Sequence, residues 1–507
     1  MSEQQSTRDS FQSRLGFILV SAGCAIGIGN VWKFPYLCGQ YGGAAFILLY
    51  LLFLLILGIP VLLCEFALGR SSRQSVARCF DRLAPAGSRW PRLKYIGIAG
   101  VTLLMLYYTT VTGWMLNYCW LHLKGTFAGQ SPAFIQSTFQ AMLAHPLSMG
   151  FWTFLSCFLG FVVCYMGLEK GIERITKVMM SALLLLMIIL AVHSLFLPGA
   201  EKGIEFYLVP NFAALEKLGW GNVIYAAMSQ AFFTLSAGNG AMMIFASYMD
   251  KKRSLPGEAL TITALDTFVA LMSGFIIIPA CFAYGIQPDA GPSLIFLTIP
   301  NLFTLMPGGR IWGSLFFVFL SFAALSTVIA VMESIIACFR ELLGWDRPKA
   351  AWFVFALIAL GSIPCVLGFN LWSGFQPLGP GTGVLDLEDF IVSNNLLPLG
   401  GLTFVLFCTR KNGWGWNNFL DEVNQGAGRN LADWWKQYYT WGLPLVILGI
   451  YLKGYDDLFA KQGPAVLAQW MLIALAFLGW IGYCVKGCGT KKNKKKRGES
   501  PPRSTVS

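Results

Sequence analysis

Charge is scarce in this chain. Asp, Glu, Lys and Arg make up 12% of its 507 residues, about half of what a water-soluble domain carries. Histidine is nearly absent. His122, His145 and His193 are the whole supply. No nucleophile–base set or metal cluster stands out around them, which argues against an enzyme. The 13 cysteines are scattered, mostly in apolar stretches. They show neither zinc spacing nor a paired framework in the loops, and read as buried hydrophobes. The alternating pattern of a membrane barrel is missing. No cleavable signal is evident either, since the first 14 residues are polar and mixed in charge.

What is present is apolar: 56% of the chain is hydrophobic. That composition describes a polytopic membrane protein built of α-helices. About 20 apolar residues cross a bilayer. Twelve segments qualify, at roughly 15–39, 43–69, 95–123, 151–168, 176–197, 220–248, 260–285, 311–343, 351–371, 384–409, 438–453 and 465–485. The net charge of +12 does not point to nucleic acid, because it is unevenly distributed. Lys and Arg crowd the stretch from Arg70 to Lys94, Lys251 to Arg253, Arg340 to Lys349, and the tail from Lys486 to Arg503. Placing both termini in the cytoplasm puts most of the 37 Lys and Arg on the inner side, as the positive-inside rule requires. The run Lys491 to Arg497 is then a cytoplasmic basic end, either a solvated tail or a contact for anionic lipid.

Two stretches are poor helix formers inside otherwise apolar segments. The first is Ala22-Gly23-Cys24-Ala25-Ile26-Gly27-Ile28-Gly29-Asn30 in segment one. Each glycine costs about 1 kcal/mol in a helix interior. Unwound backbone survives in hydrocarbon only where protein or a cavity satisfies it. Gly23 and Gly27 are also a small-xxx-small pair, so packing alone would account for them. The second stretch, Ser236-Ala237-Gly238-Asn239-Gly240, lies in the middle of segment six. Matched interruptions in corresponding positions of two halves point to a transporter's central site. Segments one to five and six to ten form two sets of five. Five is odd, so the second set runs inverted relative to the first. The expected fold is all-α, with twelve transmembrane helices, a 5+5 inverted repeat with discontinuous helices 1 and 6, and two extra C-terminal helices. The expected divisions are 1–14 (cytoplasmic), 15–197 and 220–410 (the repeats), 438–485 (helices 11 and 12) and 486–507 (tail). Between Gly291-Pro292-Ser293 and Met306-Pro307-Gly308-Gly309, an outer segment of intermediate hydrophobicity reads as a short helical lid.

Three long motifs carry a family resemblance: Ala22 to Asn30 continuing through Val31-Trp32-Lys33-Phe34-Pro35; Gly58-Ile59-Pro60 with Glu65-Phe66-Ala67-Leu68-Gly69-Arg70; and Gln230-Ala231-Phe232-Phe233-Thr234-Leu235-Ser236-Ala237-Gly238. The chain resembles the neurotransmitter:sodium symporter family, its bacterial amino-acid transporters above all. The resemblance implies sodium-coupled import of a neutral amino acid by alternating access across a bacterial inner membrane, with two sodium ions and no organic cofactor. A non-transporting amino-acid sensor on the same fold, or a carrier of another small zwitterion, are the alternatives. The partners implied are the substrate and the lipid bilayer; a homo-oligomer stays open.

The resemblance also assigns residues. A first sodium ion would use Ala25, Asn30, Thr234 and Asp266. A second would use Gly23, Ile26, Ala323, Ser326 and Thr327. The substrate would meet Ala25, Gly27, Gly29, Leu104, Tyr108, Phe233, Thr234, Ser236, Asn239, Thr327 and Val331. Lys33 with Asp389 would form the outer gate. Arg8 with Glu341 would form the inner gate, near Tyr248 and with Phe11 where relatives have Trp. Glu65 would cap freed amides of the helix 6 break. Some positions depart from relatives. Asp266 stands where the most directly matched relative has Asn, and supplies a fixed charge in place of an anion, so transport is expected to be chloride-independent. Gly27 stands where amine transporters carry Asp, which favours an amino acid. Asn239 replaces a larger apolar residue. Ser181 occupies a proline position of helix 5, so a kink there is not forced.

Overall fold

A computed structural model describes residues 11–286 and 294–486. Its elements are helical throughout, and the fold is that of an all-α polytopic membrane protein. We number twelve helices: α1 (Arg14–Ala25 with Gly29–Gln40), α2 (Ala44–Ser72), α3 (Trp90–Lys124), α4 (Pro146–Tyr165), α5 (Leu168–Leu195), α6 (Trp220–Thr234 with Ala241–Ser247), α7 (Leu255–Ala283), α8 (Gly309–Leu343), α9 (Arg347–Gly368), α10 (Val384–Thr409), α11 (Leu443–Phe459) and α12 (Pro464–Val485). Among the described residues nine of these are long and apolar enough to cross a membrane unaided, and α1 is a tenth, bent by 58° at its break. The expected spans six and eleven fall short of that measure. α6 is divided into two short pieces, and α11 is preceded by a wider turn, Tyr438–Gly442.

Burial ranks the helices by their distance from the centre. The helical parts of α6 nearest its break and the middles of α3 and α8 are almost wholly buried. α12 presents Leu472, Leu475 and Phe477 outward, the face expected against lipid. Close approach relies on small residues. A side chain at Gly113 of α3 would strike the backbone of Trp152 and Thr153 in α4, and one at Gly160 of α4 would meet Val328 of α8 at 2.7 Å.

Boundaries shift by a few residues at several spans, and the largest shift is at the start of α5. α5 starts at Leu168, not near residue 176, with a wide turn over Leu168–Glu173. Gly171 lets that turn lie against the Val163 carbonyl. Glu173 then anchors it, accepting from Ser13 Oγ at 3.0 Å, the Gln12 backbone N–H at 2.9 Å and Lys177 Nζ at 2.6 Å. Ser181 sits inside unbroken helix.

Candidate functional site

Both glycine-rich stretches are broken, and their peptide groups can be accounted for. After Ala25 the chain turns extended at Ile26. The freed Gly27 N–H donates to Asn30 Oδ1 at 3.2 Å, and the Ile28 N–H donates to the Tyr108 hydroxyl at 3.2 Å. Gly29 O accepts from Gln230 Nε2 at 3.0 Å, and Asn30 O from Ser273 Oγ at 2.7 Å. In α6 the chain passes through left-handed backbone at Ser236 (φ 48°), Gly238 (103°) and Gly240 (82°). The Gly238 N–H donates to Glu65 Oε1, and the Ala241 N–H to Asn239 Oδ1 at 2.8 Å. Unwound backbone in a membrane interior is satisfied here by side chains from α1, α2, α3, α6 and α7. Gly400 of α10 lets the Gly238 carbonyl lie against that helix.

Two oxygen clusters flank the α1 break. In the first, Asn30 Nδ2 donates to Asp266 Oδ1 at 2.8 Å and to Thr234 Oγ1 at 2.9 Å. Thr234 Oγ1 donates in turn to Asp266 Oδ2 at 3.0 Å. All three side chains are buried, as is Ala25, the last residue of the first half of α1. In the second, Ser326 Oγ donates to Gly23 O (3.1 Å) and Ala323 O (2.9 Å). Thr327 Oγ1 lies within 3.2 Å of Gly23 O and Ile26 O, and 3.4 Å from Ala323 O. Five neutral oxygens thus converge, a donor set that suits a hard monovalent cation.

The space between the breaks is framed by α3 and α8. A Cβ at Gly27 would stand 2.6 Å from the Tyr108 hydroxyl and 2.8 Å from Thr327 Oγ1; one at Gly29 would meet the Phe233 ring at 2.9 Å. Leu104 lies one turn before Tyr108, and Val331 one turn after Thr327, both buried. Lys33 Nζ stands 4.2 Å above the Phe233 ring, a cation–π contact that caps the site. Asn239 uses its carbonyl as a cap, while its buried Nδ2 has no partner among the described residues.

The gate residues are placed less simply. Lys33 and Asp389 line one cavity of about 60 Å³ with Tyr225 and Asn394. Among the described residues they make no ion pair: Asp389 Oδ1 accepts from Tyr107 (2.9 Å) and Ser393 (2.7 Å) instead. At the end carrying the basic loops, Arg8 lies outside the described residues. Glu341 accepts from Ser75 Oγ at 2.6 Å and from the Ser75 N–H at 2.9 Å. Phe11 packs edge-on against Tyr248, with centroids 6.0 Å apart. The Tyr248 hydroxyl donates to Glu333 Oε1 at 2.9 Å. Glu333, fully buried, is also gripped by Arg347 through two contacts of 2.7 and 2.8 Å. The sequence reading missed this pair. Its signal was a single carboxylate in the apolar run Val331-Met332-Glu333-Ser334-Ile335, which deserved the same reading as Asp266.

The model of the sodium:neurotransmitter symporter family matches residues 8–132 and 143–481. A sodium-dependent transporter of Bacillus subtilis, YhdH, is 35% identical over 89% of this chain and 98% of its own length. The sodium-dependent serotonin transporter of Drosophila melanogaster is 26% identical over 91% of this chain and 79% of its own. The crystal structure of MhsT in complex with L-phenylalanine is 37% identical, with a TM-score of 0.78 over 88% of this chain and 100% of that one. The broken α1 and α6, the oxygen clusters beside them and these matches along nearly the whole length lead to one conclusion: the chain belongs to the sodium:neurotransmitter symporter family, and is a sodium-dependent transporter.

Proposed function

We propose that the protein imports a neutral amino acid with two sodium ions, independently of chloride, by rocking the halves 15–197 and 220–410 around the site between the breaks, with both termini cytoplasmic. The observation that carries this is the meeting of the two breaks with Asp266 and the Ser326–Thr327 pair, which sets hard oxygen donors beside a space bounded by Tyr108, Thr327 and Phe233. The first ion takes Ala25, Asn30, Thr234 and Asp266; the second takes Gly23, Ile26, Ala323, Ser326 and Thr327. The substrate carboxylate lies at the free amides past Gly27 and at the Tyr108 hydroxyl, since helix N-termini favour anions. MhsT was solved with an amino acid bound, and Gly27 leaves no carboxylate of the protein to hold an amine. Asp266 supplies the negative charge that would otherwise call for chloride. Lys33, Asp389 and Phe233 close the outer side; Arg8, Glu341 and Tyr248 close the inner.

Two sodium ions with a zwitterion carry two charges, which at 100 mV supply about 4.6 kcal/mol, over three decades of accumulation. The test is uptake of labelled amino acids into proteoliposomes. Accumulation driven by a sodium gradient and unchanged when gluconate replaces chloride is expected. Binding without accumulation identifies a sensor, and collapse in gluconate refutes chloride independence.

A further inference from the structure

The end with the basic loops carries a group of cations that the central site does not use. Arg89 immediately precedes α3, Arg92 lies in its first turn, and Lys486 immediately follows α12. Asn412, in the turn after α10, draws the two helix ends together. The Trp90 indole N–H donates to the Asn412 carbonyl at 2.8 Å, and Asn412 Nδ2 donates to the Val485 carbonyl. The Arg89 guanidinium lies over the Tyr483 ring, 4.0 Å from its centroid. Both guanidinium groups are within electrostatic reach of Cys484, the next residue of α12.

Like charges gathered at two helix ends repel one another unless something offsets them. Elsewhere at this end the buried carboxylates do so: Arg70 has Glu422 and Arg347 has Glu333. Among the described residues none of Arg89, Arg92 and Lys486 has a carboxylate partner, and Asp81, the acid beside this stretch, is taken by Lys94 at 2.8 Å. Arg92 and Lys486 are exposed, and Arg89 is half-buried. The group adjoins the surface expected against lipid. Phe477, Trp480 and Tyr483 are exposed at intervals of three residues along α12, as is Tyr95 of α3. Tyr and Trp near the end of a span sit at headgroup level.

We propose that Arg89, Arg92 and Lys486 form a headgroup site for an anionic phospholipid, with its phosphate among the three cations and its acyl chains along Phe477 and Trp480. Arg meets phosphate through a planar fork, and lying over Tyr483 leaves the edge of the Arg89 fork open to it. A zwitterionic lipid brings a cation of its own to a place that already has three, so a net negative headgroup is preferred. The apolar side of α12 selects a lipid over a soluble phosphate. With the termini cytoplasmic, as proposed above, the lipid comes from the inner leaflet; the site itself does not depend on that orientation. The basic run Lys491 to Arg497, which starts five residues after Lys486, lies outside the described residues and is not what fixes the headgroup.

The test counts lipids bound to the delipidated full-length protein by native mass spectrometry, using phosphatidylglycerol and phosphatidylcholine with the same acyl chains. One phosphatidylglycerol is expected to bind, at least about tenfold tighter than phosphatidylcholine. Each cation near the headgroups is worth about fivefold in affinity, so Arg92→Gln and Lys486→Gln should each raise Kd about fivefold, and Arg89→Gln with Arg92→Gln more than about tenfold. These side chains lie outside the core, so the variants probe the group without disturbing the fold. Tyr483→Leu leaves the charge unchanged but removes the platform under Arg89, and should weaken binding severalfold, which a general attraction between charges would not do. Lys349→Gln removes a cation that lies 4.6 Å over Trp345 at the same end, and should leave the site intact. So should Gln at Lys491, Lys492, Lys494, Lys495 and Lys496 in the full-length chain. Equal binding of the two lipids, equal losses in Lys349→Gln and Arg92→Gln, binding lost only with the tail lysines, or full competition by glycerol phosphate, which has no acyl chains, overturns the proposal.

Discussion

At the scale of single residues, Asp266 and Asn30 share one task. Asn30 presents its Nδ2 to the Asp266 carboxylate while its Oδ1 accepts from the Gly27 N–H. In the proposed first ion site the same amide oxygen would hold both the Gly27 N–H and the cation, so ion loading and the shape of the break would be linked at this side chain. Replacing Asp266 with Asn removes the one formal charge of that cluster. A hydrogen bond or contact to a charged group is worth about 1.5–3 kcal/mol. Half-saturation by sodium in uptake should therefore rise at least about tenfold, and the variant, unlike the wild type, should be stimulated by chloride. Unchanged sodium dependence would remove Asp266 from the ion site. Gly27 is constrained differently. A methyl there would sit 2.6 Å from the Tyr108 hydroxyl and 2.8 Å from Thr327 Oγ1. Overpacking of this kind costs about 1–3 kcal/mol, so Gly27→Ala should remain folded by thermal melting yet lose substrate-dependent stabilisation. Retained stabilisation would show that the substrate does not sit against Gly27.

At the scale of elements, the α6 break depends on a neighbour. Glu65 of α2 accepts from the Gly238 N–H, and its carboxylate also faces the N–H groups of Gly240, Met242 and Met243. Gln keeps an acceptor at that position; Ala leaves a buried N–H unmet, which costs about 1–3 kcal/mol. Hydrogen–deuterium exchange should therefore be faster across residues 236–241 in Glu65→Ala and close to wild type in Glu65→Gln. Equal protection in both would mean the break holds itself. The sequence made the breaks legible because glycine is a local signal, and Asp266 legible because a lone charge in an apolar run is costly wherever it lies. It did not make Glu333–Arg347 or Arg70–Glu422 legible as pairs. The second joins residues 352 apart in the chain, and only folding brings them together. The early start of α5 was hidden for a related reason. Its first turn is charged and reads as a loop, yet it is held by Ser13 and Gln12 from the segment that precedes α1. Nor does composition announce that Ser236 adopts positive φ, a cost that the surrounding helices impose.

At the scale of the whole molecule, the two ends are closed by different means. Above Phe233 the closure is light: Lys33 rests on a ring, Asp389 bonds elsewhere, and the two line a cavity of about 60 Å³ without pairing among the described residues. The end with the basic loops is bound by ion pairs whose carboxylates are buried. Arg70 holds Glu422 and the Arg253 carbonyl, Lys251 pairs with Glu422, and Arg347 holds Glu333 beneath Tyr248. Opening that end requires these contacts to part or move as one body, so it should be the slower half of the cycle. A buried pair broken on one side leaves a stranded charge, costing about 3–5 kcal/mol, whereas removing both partners costs less. Arg347→Met alone strands Glu333 at the foot of α8 and should loosen the basic end, giving faster exchange along 333–347 and much reduced uptake. Arg347→Met with Glu333→Gln removes the stranded charge and should recover thermal stability toward wild type, while exchange at that end stays fast because the tie is still missing. Stability recovered without altered exchange would mean the pair supports the fold but takes no part in closing that end. A double variant no more stable than the single one would mean that Glu333 is held by Tyr248 alone and that Arg347 is incidental to it.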